Sequence, residues 1–210
     1  MNIEHRNGII FIAILLPTLL LGETSAKSIS LFNSKDLTGW EITDYGTQGQ
    51  VEVESGKLVL GMGDGATGVT WTGDLEFPKM NYEVTLKAQR ISGNDFFCGM
   101  TFPVNDDHLT LIVGGWGGFL VGLSCIDDFD ASENETGCMR KFENKRWYEI
   151  RIRVAVNVVK AWIDDELLID ISIADRQLSL RPEVLLSRPF GITTWKTEAA
   201  LRHIKLTLLD

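Results

Sequence analysis

From Tyr82 to Ala88 the chain alternates strictly: Tyr82, Val84, Leu86 and Ala88 are apolar or aromatic, while Glu83, Thr85 and Lys87 are polar. A period of two puts the two sets on opposite faces of a β-strand, one for a core and one for the outside. The same period returns between Trp147 and Val154, where Tyr148, Ile150, Ile152 and Val154 interleave with Trp147, Glu149, Arg151 and Arg153. Short β-rich runs at 29–32, 50–53, 57–60, 69–72, 96–102, 108–113, 119–126, 158–163, 167–173, 190–194 and 200–209 predict further strands. Ser55-Gly56 and Asp164-Asp165 supply tight turns between them. Only 174–189 breaks the pattern and predicts a helical or irregular insert, because Pro182 and Pro189 forbid a central strand there.

The runs at 108–113 and 119–126 flank Gly114-Gly115-Trp116-Gly117-Gly118. Glycines on both sides of one tryptophan admit backbone conformations closed to other residues, so the indole can be presented from a turn. Its apolar face and N–H donor suit a sugar ring; the alternative is a hairpin turn with a buried tryptophan. An acidic and amide-bearing loop follows, carrying Asp127, Asp128, Asp130, Glu133, Asn134 and Glu135. Those oxygens can simply solvate the loop, can contact sugar hydroxyls, or can bind a hard divalent cation such as calcium, although the spacing does not fit an EF-hand. The glycine-rich stretch 61–68 lacks the Gly-Lys-Ser/Thr ending of a phosphate cradle and predicts a hairpin connection.

The chain has 210 residues and a formal charge of −9. That charge excludes sequence-independent binding to nucleic acid and to anionic membranes, which need clustered cations. At the N-terminus a polar segment with one Arg, an apolar run and the small residues Thr24 and Ala26 predict a secretory signal peptide over 1–26. The mature part, 27–210, is then a single secreted or periplasmic domain with no membrane-inserted segment. Its 3 cysteines enter a compartment that permits disulfides. A Cys125–Cys138 bridge would close the neck of the acidic loop and leave Cys98 buried and odd, with free thiols as the alternative.

The segment LFNSKDLTGW, Leu31 to Trp40, resembles the opening motif of the 3-keto-disaccharide hydrolase family, departing only at Ser34, where Gly is usual. WYEIRIRV and VVKAWIDDELLID are similar to that family's late meander, and Leu201-Arg202-His203-Ile204 stands where Phe-Arg-Asn-Ile is usual. The resemblance spans about 28–209 and implies an all-β, antiparallel jelly-roll β-sandwich of the concanavalin A-like kind. It implies that Trp40 seals one end of the core. It also implies cleavage of sugars already oxidised to a ketone at C3, by hydrolysis or elimination. The stretch Asn94 to Phe102 keeps the family's Asn and lacks its serine and basic residue.

Such a reaction needs a base and a group to hold the enolate oxygen. His108, beside Asp106 and Asp107, and Glu135 are the candidate bases. Asn94, Asp95, Trp116, Asp127, Asn134 and Trp195 are the candidate substrate contacts. Trp40, Trp147 and Trp162 are expected to pack, whereas Trp71, Trp116 and Trp195 border loops and can form a platform. No Gly-x-Ser-x-Gly elbow, zinc-type His pair or dinucleotide fingerprint occurs. The rival readings are a carbohydrate-binding module without catalysis and an interaction domain of the cell envelope.

Overall fold

The computed structural model describes Met1 and residues 27–209; the expected signal segment lies outside the described residues. Fifteen strands follow in chain order: β1 (Ser28–Ser30), β2 (Trp40–Ile42), β3 (Val51–Glu54), β4 (Lys57–Leu60), β5 (Ala66–Trp71), β6 (Tyr82–Gly93), β7 (Cys98–Val104), β8 (Asp107–Gly115), β9 (Leu120–Ser124), β10 (Cys138–Met139), β11 (Tyr148–Ala155), β12 (Val158–Ile163), β13 (Glu166–Ser172), β14 (Gly191–Trp195) and β15 (Thr197–Leu208). They form two antiparallel sheets. Sheet A runs β13-β12-β11-β6-β15-β4-β3 with β1 on β15; sheet B runs β10-β9-β8-β7-β14-β5-β2. Neighbours in space come from distant parts of the chain, as in the jelly-roll sandwich that the opening motif implies.

The predicted alternation sets the core. Tyr82, Val84, Leu86 and Ala88 of β6, and Tyr148, Ile150, Ile152 and Val154 of β11, are all essentially inaccessible and meet Met100, Leu109, Leu111, Val113, Val121 and Leu123 of sheet B. At one end Trp40 is buried, donates from Nε1 to the Leu31 carbonyl at 2.8 Å, and meets Trp71 edge-on at 5.4 Å. The turn before it is built by side chains. Asn33 Oδ1 accepts from the N–H groups of Lys35 and Asp36, and Asp36 Oδ1 accepts from the Thr38 N–H. Ser34 takes φ +63°, the left-handed region that favours the glycine usual there.

Two expectations need correction, the cysteine bridge and the packing of two tryptophans. Cys98, Cys125 and Cys138 are all free thiols. Cys138 stands opposite Val121 on β9, and Cys125 lies four residues farther along; at a rise of roughly 3.3 Å per residue that is beyond the ~7 Å Cα limit for a bridge. The neck of the loop is held instead by Cys125 and Ser179, each N–H donating to the other's carbonyl. Trp147 and Trp162 are half-buried on the outward face of sheet A rather than in the core. Arg202 lies over Trp147 at 4.1 Å and Arg151 over Trp162 at 4.1 Å. The 174–189 insert is irregular, as expected, with one 3₁₀ turn, η1 (Pro182–Ser187). Among the described residues no helix is long and apolar enough to cross a membrane.

Candidate functional site

Strand register makes the outward face of sheet B unusual. Thr70, Gly191, Thr101, Thr110 and Ser124 form one continuous rung across β5, β14, β7, β8 and β9. Gly68, Thr193, Gly99, Ile112 and Gly122 form the next. Short side chains leave room above the sheet, and the chain fills part of it. The Thr70 hydroxyl donates to the Leu186 carbonyl of η1 at 3.0 Å, and Ala131 lies over Gly122. What stays open is a cavity of about 310 Å³.

Thr110, Ile112 and Ser124 are its floor. Asp95, Phe96, Trp116 and Trp195 make one wall, and Asp130, Arg181, Glu183 and Val184 make the other. Trp116 is presented by the glycine turn. It holds φ +46° between Gly114, Gly117 and Gly118, all at positive φ, and remains 43% exposed. A Cβ on Gly114 would stand 3.0 Å from the Phe97 ring, so the turn's close approach to the core needs glycine there.

Asp95 is half-buried and accepts from the Phe96 N–H at 2.7 Å. Burial pushes its carboxyl above the usual aspartate range, against the pull of backbone N–H groups and of Arg90. Across the cavity Arg181 donates to Asp130 at 2.9 Å and to Glu183 at 3.1 Å. The hydrogen bond from Arg181 holds Glu183 below its ordinary value. Three carboxyl groups and one guanidinium therefore line a cavity whose floor is hydroxyl and methyl.

Of the residues singled out in the sequence, Asp95, Trp116, Asp130 and Trp195 come together here, with Asn94 exposed just outside. Asn134 is spent on its own loop. Its Nδ2 donates to the carbonyls of Leu123 and Asp130, each at 2.8 Å, and its Oδ1 accepts from Thr136. Asp127 and Glu135 are exposed and share Arg176, at 2.6 and 2.7 Å. Three of the loop's carboxylates, Asp127, Asp130 and Glu135, are thus matched by arginines. No group of three or more His, Cys, Asp or Glu able to hold a metal ion occurs among the described residues. Trp71 packs between Gly39, Gly73 and Trp40 and gives its Nε1–H to Leu75.

His108 lies on the same face of β8 as Thr110 and Ile112, but borders a second cavity of about 360 Å³ with Lys79, Asp106 and Pro189. Burial first, then the charge of Arg188, lower its pKa, and Nε2 is buried without a partner among the described residues. Sequence reasoning passed over Arg181 and Glu183, which sit in the irregular insert. The signal was Arg-Pro-Glu, two opposite charges spaced by the residue that starts a short helical turn.

A family profile described as the 3-keto-alpha-glucoside-1,2-lyase-like domain matches residues 27–207. The chain belongs to this family. The match covers both sheets and every wall of the cavity, so the cavity is part of the lyase-like domain itself. Among solved structures, the carbohydrate-binding module CBM66 from Bacillus subtilis superposes with a TM-score of 0.54 at 15% identity, covering 80% of this chain and 96% of that one. The Crh5 transglycosylase in complex with NAG gives 0.59 at 13%, covering 88% and 85%. A laminarinase from Flavobacterium sp. UMI-01 gives 0.53 at 11%, covering 87% and 98%. At such identities the likeness is one of fold, the concanavalin A-like jelly roll. No curated protein matches the sequence of this lyase-like domain.

Proposed function

We propose that this lyase-like domain is a secreted carbohydrate-active enzyme that eliminates or hydrolyses 3-keto-glycosides in the cavity on sheet B. The observation that carries the reading is the half-buried Asp95, set between Trp116 and Trp195 above a hydroxyl-lined floor. Aromatic walls offer apolar faces to a sugar ring, while Thr110 and Ser124 offer hydrogen bonds to its hydroxyls. The volume falls at the small end of ligand pockets, which run from roughly 300 to 1,000 Å³, and η1 and Ala131 cover the face on either side. That shape favours a short glycoside over a polymer.

A C3 ketone acidifies the C2 hydrogen. Asp95 takes that proton, the C1–O bond breaks, a C1=C2 double bond forms, and the departing oxygen is protonated. Water adding across the double bond completes hydrolysis. A carboxyl raised by burial is a stronger base than an exposed one, and so better matched to this task. Arg181 supplies positive charge on the facing wall, where the enolate oxygen can be held. His108 and Glu135 stand outside this cavity, so proton transfer is assigned to Asp95.

A second reading, a glycan-binding module without turnover, is favoured by one feature: Arg181 is already matched by Asp130 and Glu183. Incubating the mature protein with a 3-keto-disaccharide and chromatographing the products separates the two. Released monosaccharide that disappears in Asp95→Asn supports the enzyme. Binding without release moves the assignment to the module, and neither binding nor release with any linkage refutes both.

A further inference from the structure

Among the described residues Arg90 is the one charged side chain buried inside the sandwich. It sits near the end of β6 with its side chain turned inward, and is 6% exposed. Its guanidinium is bonded only to neutral acceptors: Asn144 Oδ1 at 2.8 Å, the Phe142 carbonyl at 2.9 Å and the Gly118 carbonyl at 3.4 Å. It lies 5.8 Å from the Phe97 ring centre and forms no ion pair among the described residues. A buried cation without a carboxylate partner is costly, and packing alone would be served better by methionine or leucine.

Its position gives it two targets. Gly118 closes the turn that presents Trp116, and a Cβ there would stand 2.6 Å from Arg90 Nη1, so the guanidinium is seated directly against that backbone. Asp95 borders the same turn, its Oδ1 3.8 Å from where a Cβ on Gly115 would stand, and the charge of Arg90 acts on its carboxyl. We propose that Arg90 is a positioning residue of the cavity: from the opposite sheet it fixes the glycine turn that aims Trp116 and borders Asp95. This rests on the assignment of Asp95 as the proton-carrying group. Burial raises the Asp95 carboxyl and Arg90 opposes that rise. Asp130, Arg181 and Glu183 face Asp95 from the other wall; Asp130 and Glu183 are matched by Arg181, whereas Arg90 is engaged by no carboxylate among the described residues.

The test needs no substrate, so its outcome is separable from that of the enzyme assignment. Asp95 is titrated by carboxyl ¹³C NMR, and Trp116 is followed by ¹⁹F NMR of fluorotryptophan-labelled protein, with Trp116→Phe identifying the resonance. In Arg90→Met the Asp95 titration is expected to move to higher pH and the Trp116 resonance to shift or broaden. In Arg90→Lys the charge remains but the fork to Phe142 and Gly118 is lost, so Asp95 should titrate nearly as in the parent while Trp116 still moves. A folded Arg90→Met protein with both signals unchanged overturns the proposal. Should Arg90→Met not fold, Asn144→Ala decides, because that exposed position only removes the acceptor of Nε. A displaced Trp116 resonance then supports the role, and an undisturbed one refutes it. With an active substrate, the acid limb of the pH–rate profile should rise with the Asp95 titration in Arg90→Met.

Discussion

The two sheets share one core, yet their outward faces are opposites. On sheet A the outward residues are long and charged and lie flat. Arg153 donates to Glu83 at 2.8 Å, Lys160 to Asp170 at 2.8 Å, and Arg151 covers Trp162. Their aliphatic stems and rings occupy the surface, so nothing else can. On sheet B the matching rungs hold Thr, Gly and Ser, whose hydroxyls pair sideways, as Thr101 with Thr110 at 2.9 Å. Space remains above them, and loops from distant parts of the chain come in to wall it. A sandwich fold does not by itself make a binding site; the choice of short side chains on one face does.

The strongest way to break this comparison is to remove the group that the space is built around. Asp95→Asn keeps the shape and the backbone donors but cannot take a proton. If the cavity is catalytic, turnover of a 3-keto-disaccharide should fall by about 10²- to 10⁴-fold with little change in binding. Turnover kept in full would transfer the chemistry elsewhere, with His108 the first group to substitute next. The next largest effect comes from filling the floor. Ser124→Leu places a bulky side chain in the cavity and should lower sugar affinity at least tenfold, read by calorimetry. Lys87→Leu, the same kind of change on the outward face of sheet A, should leave affinity as it was. Equal losses from both would show that the two faces do not differ in function.

Much of this asymmetry was written in the sequence, though not all of it equally plainly. The alternation at 82–88 and 148–154 set the core face of sheet A, because a strand with one solvated side must show a period of two. Sheet B showed it less, since its strands are covered on both faces and read as nearly continuous apolar and small residues, as in Leu109-Thr110-Leu111-Ile112-Val113. The glycine turn marked Trp116 correctly as a presented ring. The opposing wall was hidden because Arg181 and Glu183 lie in a segment without periodicity, brought to the cavity only by long-range pairing such as Ile126 with Leu178. The expected Cys125–Cys138 bridge failed for a related reason. Proximity in the chain suggested a neck, and strand register placed the two residues apart.

A smaller effect is expected at the loop that forms this wall. Asp127 is held below the usual carboxylate range by the Gln177 N–H and by Arg176, and Glu135 by Arg176. Since their folded values are depressed, the stabilisation is present above the unfolded values, near 4, and is lost as pH falls through the folded ones. Hydrogen exchange over 126–136, taken relative to the intrinsic rate at each pH, should therefore quicken on acidification from about pH 5 to pH 3, and Arg176→Met should show the quickened relative rate already at pH 7. The same titration over β11 and β12 should show little change. Uniform quickening would assign the effect to global acid unfolding instead of to the loop.

The smallest expected effect belongs to the face without a cavity. Arg151 lies 4.1 Å from the Trp162 ring centre and 3.7 Å from Glu83, while Arg153 meets the same carboxylate at 2.8 Å. Removing Arg151 leaves Glu83 paired and uncovers one aromatic face. The loss should be close to a single partly exposed cation–π contact, about 0.5–1 kcal/mol, because solvent screens the longer ion pair. Arg151→Ala should thus lower the denaturation midpoint slightly and leave sugar binding and turnover untouched. A loss several times larger would mean that the flat charged layer braces the sandwich, and that sheet A could not have given up those side chains to make a site of its own.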